Sequence, residues 1–111
     1  MFSSLLALSF YAMAAPAGPA AGPRKAYAAC LKKVTNEALD KKMDAADFGR
    51  SLDAACPAEA AALRNAIVAQ RIAAGARPAD AQAIARDDVL DFQLNAAEMY
   101  AEYLESGAKP N

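Results

Sequence analysis

Two cysteines constrain this chain more than any other residues in it, because they fall at matched distances from a single helical turn. Residues 23–43 read as one helix, opened by Pro23 at a first position where the missing N–H is no loss. Asp44 has the chemistry of an N-cap and Asp47 lies in the turn after it, so residues 45–55 read as a second helix, stopped by Cys56-Pro57. Cys30 lies about thirteen residues before the bend and Cys56 about twelve after it, which at roughly 1.5 Å per residue puts both about 18–20 Å from it. In an antiparallel hairpin the two are level, and a disulfide needs Cα atoms within about 7 Å. The spacing therefore predicts a Cys30–Cys56 bridge. It closes a ring of 27 residues, for which chain entropy alone gives ~3.5 kcal/mol of stabilisation.

A bridge implies an oxidising compartment, and the N-terminus points the same way. The apolar run Leu5 to Met13 is followed by Ala12-Met13-Ala14, a small-x-small cleavage pattern. We expect a signal peptide over residues 1–14, a flexible Pro/Gly/Ala leader over 15–22, one helical domain over 23–107 and a tail over 108–111. The expected location is the periplasm or the exterior. The stretch Phe2 to Ala15 is about fourteen residues against the about twenty of a membrane span, so the mature form is expected to have no span.

Alanine fills 32 of the 111 positions, and beyond residue 14 there is no Trp and only two Phe and three Tyr. Alanine is the best helix former but offers little area to bury, so a small domain of this kind gains from a covalent staple. The expectation is an all-α fold: a small four-helix domain in which the stapled N-terminal hairpin packs, with a third helix, against a long C-terminal one. In the first helix Tyr27, Cys30, Leu31, Val34 and Ala38 share a face; in the second, Ala45, Phe48, Leu52 and Ala55 do. The third begins at Pro57, lines up Ala60, Leu63, Ile67 and Ala74, with Val68 and Ile72 beside them, and stops at Gly75.

The fourth helix, Pro78 to Ser106, carries the richest pattern. Ala81, Ala85, Val89, Phe92, Ala96, Met99 and Tyr103 form one apolar stripe, and Leu90, Leu94, Ala97, Ala101 and Leu104 form a second beside it. The rest of the wheel holds Asp87, Asp91, Asn95, Glu98, Glu102 and Glu105. An apolar arc of roughly 220° is twice what one neighbour covers. Either the hairpin and the third helix flank it within one molecule, or one stripe meets a second copy. At about 43 Å it is longer than its neighbours, which leaves the end with Tyr100, Tyr103 and Leu104 as the one expected to project.

Chemistry is narrowed by absence. Without histidine there is no Ser-His or Cys-His dyad and almost no route to zinc or haem ligation. No Cys-x-x-Cys and no Gly-rich phosphate loop occur. We therefore expect no enzyme, no cofactor and no metal. The net charge of −1 argues against nucleic acid as a partner. Charge is unevenly spread, however: Arg24 to Arg50 holds seven basic and four acidic residues, and Asp80 to Glu105 seven acidic and one basic. A protein partner or self-association is expected, with Tyr100, Tyr103, Leu104, Asp87, Asp91, Glu98 and Glu102 as the candidate binding residues. In build the chain resembles the small, helical, one-disulfide proteins exported by Gram-negative bacteria, among which are stress chaperones and inhibitors; that likeness assigns no residue a role.

Overall fold

A computed structural model describes residues 18–110 and contains four α-helices among them. The expected signal peptide and the first three leader residues lie outside the described residues. Helix α1 spans Ala21–Asp40, α2 Ala45–Ser51 with a 3₁₀ turn Leu52–Ala54 continuing it, α3 Pro57–Ala73 and α4 Pro78–Ser106.

Local chemistry sets most of these limits. The Asp44 carboxylate accepts the Asp47 N–H at 2.8 Å and opens α2. Pro57 and Pro78 are the first residues of α3 and α4, and Arg77 before the second proline is extended, with ψ 148°. Past Ala74, which is the cap residue, Gly75 takes φ +101°, its N–H reaching the Ile72 carbonyl while Ala76 N–H reaches Arg71. These two hydrogen bonds satisfy carbonyls left open by the helix end. The same motif closes α1, three residues sooner than its periodicity predicts: Lys42 N–H bonds Leu39 and Met43 N–H bonds Ala38, with Lys42 at φ +57°. At its other end α1 begins two residues before Pro23, which is harmless because the first turn has no internal acceptors for its N–H groups. Ala20 is buried there, so the last leader residues belong to the domain.

Cys30 and Cys56 are bridged, with Cα atoms 6.2 Å apart. Cys56 is the N-cap of α3, so the bridge fastens α1 to the start of α3. The arms of the hairpin turn away from a simple side-by-side pair: α2 rests on α4, and α1 packs on α3 and α4. Successive contacts show α1 running parallel to α4, with Arg24 at Asp88, Tyr27 at Phe92 and Asp40 at Lys109. Helix α3 returns antiparallel through residues 74–77.

The core lies among all four helices. Tyr27, Leu31 and Ala38 meet Phe48 and Leu52, Ala60, Leu63 and Ile67, and Ala85, Val89 and Tyr100. Thr35 is also buried and satisfies its hydroxyl by donating to the Leu31 carbonyl at 2.8 Å. Several expected core positions are peripheral: Ala45 and Ala74 are exposed, Ile72 is 44 % exposed, and Met99 lies at the edge.

Candidate functional site

Helix α4 is covered by a relay of neighbours. Helix α3 packs beside its N-terminal half, α1 runs along a second side, and the turn between α1 and α2 closes over the C-terminal half. Length alone therefore does not make the far end project. Tyr100 belongs to the core rather than to a free surface. It is fully buried, its ring stacks on Phe48 at 3.9 Å and 11°, and its hydroxyl donates to the Met43 carbonyl in the turn. Burial, and secondarily the Asp44 carboxylate, raise its pKa above the usual tyrosine value. Tyr103 is half-buried in a 210 Å³ groove between α1 and α4 that also has Met99 and Pro110 on its wall. Lys109 pairs with Asp40 and ties the tail across the end of α1.

The relay covers only one of the two apolar stripes. Leu90, Leu94 and Leu104 are 46 %, 54 % and 42 % exposed, Ala101 is exposed, and Ala97 between them is half-buried. These residues follow a spacing of four, three, four and three, the repeat that keeps one seam straight along a helix. On one side of the seam stand Asp91, Glu98 and Glu105, with Asp87 at its N-terminal end and Glu102 further round; all are exposed, and none is ion-paired among the described residues. Between the acidic fourth helix and the basic N-terminal hairpin the one ion pair among the described residues is Arg24 with Asp88, 3.2 Å apart.

The other side of the seam is basic at its N-terminal end. Arg64 of α3 and Arg86 of α4 line two adjoining clefts, one of 340 Å³ with Asn65, Val68 and Gln82, the other of 240 Å³ with Asp53, Leu90 and Gln93. Neither arginine has an ion-pair partner among the described residues. Leu90, Leu94, Arg64 and Arg86 are the surface residues that a wheel-based choice of site passes over. Two signals point to them: the four-three spacing, and the near-equal distances of Arg64 and Arg86 from the turn at Gly75.

Among the described residues no three Cys, Asp or Glu side chains gather where they could hold a metal ion, and no helix is long and apolar enough to cross a membrane. No protein-family model, curated protein or solved structure matches this chain.

Proposed function

We propose that this is an exported, non-enzymatic protein of the cell envelope, periplasmic or secreted, that acts as a binding or stress-related module through the apolar face of α4. The observation that carries the reading is the line of three half-exposed leucines on a helix anchored along its opposite face. Contiguous apolar surface of this kind marks an interaction site. The disulfide supports export, since such bridges persist in oxidising compartments. A hydrophobic dye should bind the folded protein, and the protein should slow the aggregation of an unfolding client. Leu94→Gln and Leu90→Gln should reduce both effects. Absence of dye binding and of aggregation suppression by the folded protein would refute the reading.

A second reading rests on a different observation: Asp87, Asp91, Glu98 and Glu102 are exposed along one side of the same helix. As an inhibitor or adaptor, the protein would present them to a basic protein. Capture of such a partner from an envelope extract should then weaken as ionic strength rises, and salt-independent capture would rule this version out.

A further inference from the structure

We propose that the leucine seam of α4 is the interface of a weak two-fold homodimer in which α4 lies parallel to α4 of a second copy; this names the partner for the apolar surface and rests on that reading. The four-three spacing of Leu90, Leu94, Ala97, Ala101 and Leu104 has the 3.5-residue period at which two helices meet along one line at about 20°. A two-fold interface is self-complementary, so each surface must match its own copy. In a parallel pair each layer meets itself: leucines pack at both ends, and Ala97 and Ala101 let the backbones approach between them.

Charge decides the direction. One flank of the seam is acidic, with Asp91, Glu98 and Glu105, and the other carries Arg86 with Arg64 behind it. A parallel pair sets unlike flanks together, with Arg86 facing Asp91 of the second copy and Gln93 facing its Glu98. The 240 Å³ cleft beside Leu90 holds two guanidinium groups against the single carboxylate of Asp53, and so keeps net positive charge for an incoming acid. An antiparallel pair would set Asp91, Glu98 and Glu105 against the same acids.

The seam from residue 90 to 104 is about 21 Å long, two heptads where a free-standing coiled coil needs about three or four. The arginine flank has to add to it, and the dimer should form on the order of ten to one hundred micromolar.

Sedimentation of the intact oxidised protein from micromolar to millimolar concentration tests this. Reversible dimerisation is expected, with Leu94→Glu monomeric throughout and unchanged in helical content and thermal midpoint. Arg86→Glu should raise the dissociation constant roughly tenfold, and adding Asp91→Lys should restore it, because a parallel pair exchanges the two partners. A native protein that stays monomeric at millimolar concentration overturns the dimer; if it still binds dye and loses that binding in Leu94→Glu, the apolar binding surface stands and only its partner is wrong. A dimer in which Asp91→Lys fails to rescue Arg86→Glu overturns the parallel arrangement.

Discussion

Replacing Phe48 by alanine tests whether α2 is held by packing. This helix has seven residues, too few to persist alone in water. The disulfide does not hold it directly, since the bridge runs from α1 to the start of α3. What fixes α2 is the burial of Phe48 and Leu52, the former fully enclosed and stacked on Tyr100. Truncating a buried phenylalanine costs about 3–5 kcal/mol, of which the aromatic pair accounts for ~1 kcal/mol. A domain of this size has about 5–15 kcal/mol in total, so a fifth or more of it rests on one ring. Urea unfolding with the disulfide intact in both proteins keeps the unfolded states comparable; the midpoint should fall at unchanged slope. Phe48→Leu, which keeps much of the volume, should cost about 1.5 kcal/mol. A double-mutant cycle with Tyr100→Leu should return a coupling of about 0.5–1.5 kcal/mol. If Phe48→Ala costs under about 1 kcal/mol, α2 is not docked on α4 and the account of the C-terminal half of α4 fails with it.

Reduction of Cys30–Cys56, or its replacement by serine pairs, should destabilise by ~3.5 kcal/mol for its sequence separation of 26; thermal unfolding would show this as a fall of roughly 15–25 °C, and a shift of a few degrees would contradict it. Lys42 holds a left-handed conformation that costs a side chain about 1–2 kcal/mol, so Lys42→Gly should stabilise by up to ~1 kcal/mol after its greater freedom in the unfolded chain is allowed for, whereas Gly75→Ala, at φ +101°, should destabilise by about the same amount. Tyr100 links stability to alkaline pH: an unfolded tyrosine loses its proton near pH 10 and the folded one holds it to higher pH, so this contribution is intact below about pH 10 and declines as the pH climbs through the folded value. Denaturation curves at pH 9 and pH 11 should show a smaller alkaline loss in Tyr100→Phe than in the native protein, and equal losses would exclude the link.

Elements were legible where a residue acts on its own backbone. Asp44, Pro57, Pro78 and Gly107 mark helix limits because capping and the missing proline N–H are local effects. The disulfide was expected from equal distances about one bend, and the pair does close, but α1 and α2 do not lie side by side and the bridge joins α1 to the start of α3. Direction and burial on α4 were not legible. A wheel places Tyr100 beside the first stripe, but whether it is covered depends on where the Met43–Asp44 turn lands, and that follows from α1 running parallel to α4. Likewise a broad apolar arc shows that α4 has more apolar face than one neighbour needs, without showing which stripe the monomer takes. Ala20, read as part of the leader, is buried, and Gly18 just before it lies near Gln70 of α3, a long-range approach that no local pattern shows.

The exposed leucines separate stability from binding in a way that one residue can test. Leu94 is more than half exposed, so the folded chain gains little from it. Removing a surface side chain away from caps and core typically changes stability by no more than about 0.5 kcal/mol, and glutamine suits a helix about as well as leucine. Leu94→Gln should therefore leave the urea midpoint nearly unchanged while reducing dye binding. The converse holds for Leu63, fully buried at the heart of α3, where Leu63→Ala should cost about 2–5 kcal/mol and leave the seam chemically intact. If Leu94→Gln instead destabilised the protein by more than ~1 kcal/mol, the second stripe would be working within the monomer, and the case for a partner on that face would fall.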